Sequence, residues 1–270
     1  MRNLANIGFE AHSLEEFQRL AEMAYRHGKA YRSGRVQYYL FQDPSGAELW
    51  VQIDENDEIA GMNCHFHTDR QIDAEILHAQ AYEDRPMDGS LEARALRVDA
   101  GLPGNAARPV FAFDLPDAQL VPPVHLPVMG HVNLVAFARE VHVYENVEDY
   151  RQAHPGRPLE GLRPIEGDSQ PGKISSLMRL DGIVEQAQRK HNAKTGRDFI
   201  WLQLKTSIGH LDVVVATRSL PFLPQMGQVF DGDVRLSGRV TFDAAAPRKP
   251  GLLERMLWGA ASNLRTEHQA

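Results

Sequence analysis

The chain has 270 residues, a formal charge of −7, 43% hydrophobic and 24% charged residues, and one cysteine. These values suit an ordinary folded protein with room for two modules and exclude a disordered or fibrous one. They also exclude an internal disulfide, a multi-cysteine zinc site and, because no apolar run approaches the ~18 residues a bilayer needs, a membrane-spanning helix. The expected location is therefore the cytoplasm, with Cys64 as a plain buried thiol.

Charge is unevenly spread. Residues 1–172 carry 15 Lys and Arg against 27 Asp and Glu, a net of −12, whereas 173–244 carry 10 against 7 and 245–270 carry 4 against 2. The acidic front repels nucleic acid and anionic membrane; the weakly basic remainder tolerates a polyanion without demanding one.

In chain order, a strand is predicted over Asn6–Glu10, then a helix from Ser13, whose hydroxyl and the carboxylate of Glu16 have capping-box spacing. Leu14, Phe17, Leu20, Ala21 and Ala24 recur at helical spacing, and Gly28 stands where a left-handed terminator is expected. Residues 36–41 and 48–53, joined by Asp43-Pro44-Ser45-Gly46, read as a hairpin. Further strands are predicted at 64–68, 76–83, 91–98 and 110–114, with Arg85-Pro86-Met87-Asp88-Gly89 as a turn, and a long strand at 132–144. No short-period repeat is visible. Residues 151–172, with four prolines, read as a linker. Beyond it, residues 178–184, 199–205, 211–216 and 234–242 alternate as strands, with Gly182 and Gly238 placed for sharp bends. In the tail, Leu253, Met256 and Leu257 have the spacing of a short amphipathic helix, docked on its own protein or on a partner.

The predicted class is α+β: an acidic strand-helix-hairpin module over 1–150, a linker over 151–172, a β-barrel over 173–244 and a tail helix over 245–270. Asp181-Gly182-Ile183-Val184, the following hairpin, and Ser237-Gly238-Arg239-Val240 resemble the OB-fold of nucleic-acid-binding proteins. A fifth strand is missing after Phe242; either residues 132–144 supply it or the barrel stays open. The resemblance implies an outer face on which bases stack, and period two places Phe199, Trp201, Gln203 and Lys205 there, with Arg235 and Arg239 sharing a face of the last strand. The competing reading is that the front module covers Phe199 and Trp201.

Asp43-Pro44-Ser45-Gly46-Ala47-Glu48-Leu49 resembles the hairpin of the vicinal-oxygen-chelate group, the glyoxalase and bleomycin-resistance proteins, in which a glutamate binds metal. Glu48 is the matching position. Asn6 stands where the group has its first-strand histidine, and no second such hairpin follows. His65 and His67, two apart on one strand, face the same side and with Glu48 would make a two-histidine, one-carboxylate set for a divalent metal, the one cofactor these residues suggest. The competing reading is a hydrogen-bonded, metal-free pair of histidines.

No Gly-x-Ser-x-Gly, phosphate-binding glycine loop or dinucleotide fingerprint occurs. Three readings of function stand. The favoured one is a non-catalytic binding protein in which both modules present a composite surface to a macromolecule, preferably a protein. The others are an OB-type binder of single-stranded nucleic acid using Phe199, Trp201, Lys205, Arg235 and Arg239, and a metal-dependent small-molecule enzyme or resistance protein using Glu48, His65 and His67.

Overall fold

The computed structural model describes residues 3–33, 36–82, 85–97, 108–165 and 174–243; the expected tail helix lies outside them. Two sheets and two α-helices make the architecture.

The first sheet is an antiparallel meander of β1 (Lys29–Ser33), β2 (Val36–Gln42), β3 (Ala47–Ile53) and β4 (Ile59–Phe66). Helix α1 (Leu14–His27) precedes it, and the Ser13 Oγ accepts the Glu16 amide at 3.1 Å. The Glu16 carboxylate reaches back to the His12 amide at 2.6 Å, one residue earlier than a capping box requires. Two expectations fail at the ends of this region. Leu4–Ile7 form a 3-10 turn rather than a strand, because Asn6 turns inward: its Nδ2 donates to Ala138 O and its Oδ1 accepts Ala216 N. Gly28 is extended (φ −81°, ψ 157°), since the chain passes straight from the helix into β1.

The second sheet has nine strands. Its front half comprises β5 (Ile72–Tyr82), β6 (Arg85–Ala95), β7 (Val110–Leu115) and β8 (Val128–Tyr144). Residues 85–89, predicted as a turn, belong to β6, where Gly89 pairs with Ala81 and Leu115. Helix α2 (Val147–Ala153) and β9 (Leu162–Pro164) occupy part of the predicted linker; Leu162 is buried and Arg163 is ion-paired to Asp181. The back half comprises β10 (Leu177–Asn192), β11 (Arg197–Thr206), β12 (Gly209–Ala216) and β13 (Val229–Thr241).

Strand β10 pairs antiparallel with β11 and β13, and β11 with β12; β8 then closes a ring of five by pairing parallel with β12 and antiparallel with β13. The long strand at 132–144 thus supplies the missing fifth member, and the hydrogen bonding runs across the boundary expected at 151–172. The front half obeys the same scheme. Strand β5 pairs antiparallel with β6 and β8, β6 with β7, and β7 touches β13 in a parallel bridge between Asp114 and Ser237. Each four-strand unit therefore lends its last strand to the ring of the other. The equivalence extends to register: both first hairpins carry a bulge, after Ile76 and after Val184, and β8 and β13 cross about the pair Ala136–Leu236 as about a two-fold axis. This repeat of about a hundred residues is carried by backbone pairing.

Gly182 and Gly238 have a steric reason. A Cβ on Gly182 would sit 2.9 Å from Lys205 O, and one on Gly238 would sit 2.6 Å from the Phe113 ring, so both strands pass neighbours at a distance that only glycine allows.

One apolar cluster fills both rings, from Ile76, Leu91 and Phe113 to Ile200, Leu204 and Leu236. A second cluster joins the first sheet to the outside of the back ring. In it Leu49, Val51 and Phe66, with Ile7, Phe9, Ala21 and Ala24, pack on Val135, Phe137, Phe199 and Val214. At the other end Tyr38 Oη donates to Met87 O at 2.9 Å and accepts the Gln119 amide at 3.2 Å, fixing β2 to β6.

Candidate functional site

The first sheet lies across the shared β8–β13 pair, and a polar cavity of about 250 Å3 opens at their seam. Glu48, His65 and His67 line it from the first sheet and its exit loop; Asn133 and Arg239, direct partners across β8 and β13, line it from the second.

Cross-strand register builds the first wall. Glu48 on β3 stands opposite His65 on β4, so both side chains emerge on the same face, and His67 follows two residues on. Both Glu48 and His65 are only 2% exposed. The Glu48 carboxylate accepts from Gln42 Nε2 at 3.1 Å and from Trp50 Nε1 at 3.0 Å, and His67 Nδ1 lies 3.5 Å from Oε1. Burial pushes this carboxyl above its ordinary range, against the pull of the Trp50 donor, Arg239 and His67. His65 Nδ1 is 2.9 Å from Ser237 Oγ. Burial, with Arg239 and His67 nearby, drives its pKa down to about 3, so the ring is neutral near pH 7.

The second wall is anchored from behind. Arg239 Nε donates to Asp117 Oδ2 at 2.8 Å, and the guanidinium lies 4.7 Å above the Trp50 ring. Asp117 is 5% exposed; burial raises its carboxyl while Arg239 opposes the rise, and its Oδ1 has no hydrogen-bond partner. Asn133 Nδ2 donates to Thr68 O and Arg70 O, holding the rim loop that carries His67.

The residues singled out in the sequence separate differently from the sets proposed there. Glu48, His65 and His67 do come together, and Arg239 joins them. As a metal set they fall short: Asn6 is spent on backbone groups, and among the described residues no group of three or more His, Cys, Asp or Glu could hold a metal ion. The outer-face set is corrected more sharply. Phe199 is completely buried against Phe66, their centroids 6.0 Å apart, because the first sheet, the Leu4–Ile7 turn and α1 cover that face. Trp201 is half-buried on the same cluster, beside Lys190. Arg235 donates to Asp114 Oδ2 at 2.9 Å and to Ser176 Oγ at 3.0 Å, and Lys205 lies in register with His210, outside the seam.

Sequence reasoning missed Trp50, Asp117, Asn133 and Ser237. Ser237 shares strand parity with Arg235 and Arg239, a usable signal; Asp117 lies in a proline-flanked stretch with no periodicity to read. Comparison of the chain with protein families, curated proteins and solved structures returns no match. No helix among the described residues is long and apolar enough to cross a membrane.

Proposed function

We propose that this is a non-catalytic binding protein that offers the seam between its two sheets to a protein partner. The observation that carries the reading is the composite wall: Glu48, His65 and His67 from one sheet and Asn133 and Arg239 from the other line a single cavity. Their orientation is set by packing and hydrogen bonds on both sides, the preorganisation that recognition requires. A catalytic reading has less support, since a histidine held near pKa 3 is a poor general base at neutral pH.

The ring of five strands formed by β8 and β10 to β13, with glycines at close approaches on β10 and β13, supports an OB-type reading of its architecture. The burial of Phe199 argues against the use of that outer face for stacking nucleic-acid bases.

The test is capture of partners from the native host by the wild-type protein and by a double variant, His67→Ala with Arg239→Ala, checked for an unchanged fold by circular dichroism. A protein retained by the wild type and lost by the double variant supports the reading. Equal retention by both, or retention of nothing, overturns it.

A further inference from the structure

We infer that the group received by the seam is an organic cation, a primary ammonium or a guanidinium, with Glu48 as its counter-ion. This rests on the seam being the binding site and adds the chemistry of what enters it.

The charges around the cavity sort into those already satisfied and those not. Arg239 has its counter-charge in Asp117, 2.8 Å away, and its face on Trp50. His65 is engaged by Ser237 and enclosed. What remains on the lining is Glu48 at the floor and Asp69 at the rim, with the half-exposed His67 between them, Nδ1 3.5 Å from Glu48 and Nε2 3.2 Å from Asp69. The Glu48 carboxylate is 2% exposed, its hydrogen-bond donors from Gln42 and Trp50 are neutral groups, and Arg239 and His67 act on it through space without donating to it. A carboxylate taken out of water and met by neutral donors gains most from a charge-assisted bond to a cation.

Size narrows the ligand. About 250 Å3 falls below the ~300–1,000 Å3 of pockets for drug-sized molecules. It admits a charged head on a short aliphatic stem. Two sources present that chemistry: a free alkylamine or polyamine, and a Lys or Arg side chain of a protein. The net of −12 over residues 1–172 draws either one towards this half of the molecule.

The test follows the His67 imidazole and Trp50 indole resonances by NMR while the full chain is titrated with n-butylammonium, butylguanidinium, a lysine-containing tetrapeptide, n-butanol and butyrate. Saturable shifts with the cations, roughly tenfold weaker in Glu48→Gln, a loss equivalent to ~1.4 kcal/mol, are the expected result. Asp69→Asn, at an exposed rim position, guards against a misfolded Glu48 variant and is expected to weaken binding about two- to threefold, the scale of a solvent-exposed ion pair. A peptide much tighter than butylammonium identifies the protein source; equal affinities identify the free amine. Shifts with butyrate or butanol and none with the cations overturn the cation while leaving the seam as a site. No shift with any probe removes both.

Discussion

His65 Nδ1 lies 2.9 Å from Ser237 Oγ, joining the last strand of the first sheet to β13, a strand common to both rings. The bond forms between side chains 172 residues apart and fixes the floor of the seam.

Acid should loosen that floor. The His65 pKa falls from its ordinary 6.5 to about 3 in the folded protein, so between those values the unfolded chain binds more protons than the folded one. The contribution of His65 is complete above pH 6.5 and is lost as pH falls towards 3, at roughly 1.4 kcal/mol per unit, or ~2 kcal/mol by pH 5. Urea melts from pH 7.5 to 4.5 check this. The slope should flatten in His65→Gln, and an unchanged slope would contradict a neutral buried ring.

Glu48 has the opposite sign. Its carboxyl is raised by burial, so the folded state holds its proton more tightly than the unfolded chain does, and stability falls as pH rises through that region. At pH 7 Glu48→Gln should therefore melt above the wild type, with the gap closing as pH drops towards the ordinary value of 4.5. Thermal melts at pH 7 and pH 4.5, without any added amine, measure both ends.

Phe199→Ala should act on stability. Its ring is fully buried against Phe66, and removing such an aromatic costs about 3–5 kcal/mol. Urea melts should show that loss, while the Trp201 fluorescence of the wild type should stay unchanged on titration with single-stranded oligonucleotides at low salt.

Gly232→Ala should be among the most damaging small changes in β13. A Cβ there would stand 2.2 Å from the carbonyl oxygen of Glu140, a backbone atom of β8 that the ladder holds in place. Forcing the strands apart costs about 1–3 kcal/mol, read as a lower midpoint in urea with far-UV circular dichroism as the probe.

Strands β10 to β13 were legible because each shows alternation over its own residues. So did the 132–144 segment, and its strand character was plain, but its partners were not: Val135 meets Asp212 and Ser237, residues far along the chain whose pairing leaves no local trace. The repeat was hidden for a related reason. The two units share bulges and crossing geometry, and little beyond Ile72-Asp73 against Leu180-Asp181 survives in side chains. Half of the site was readable, since Glu48 and His65 lie on neighbouring strands and His67 follows His65 by two residues. The other half was not, because Arg239 was read through strand parity as part of an aromatic face, whereas packing turned that face towards the first sheet and left the arginine at its margin.

The exchange of last strands bears on how the protein could be divided. A break between Tyr144 and Leu177 would give one fragment carrying β5 to β8 and another carrying β10 to β13, each with four of its own strands around a gap that only the other can fill. Neither piece would be expected to hold its shape alone, and mixing them should restore the parent. The molecule is thus a natural candidate for a split pair, two inert halves whose reunion also rebuilds the wall containing Asn133 and Arg239.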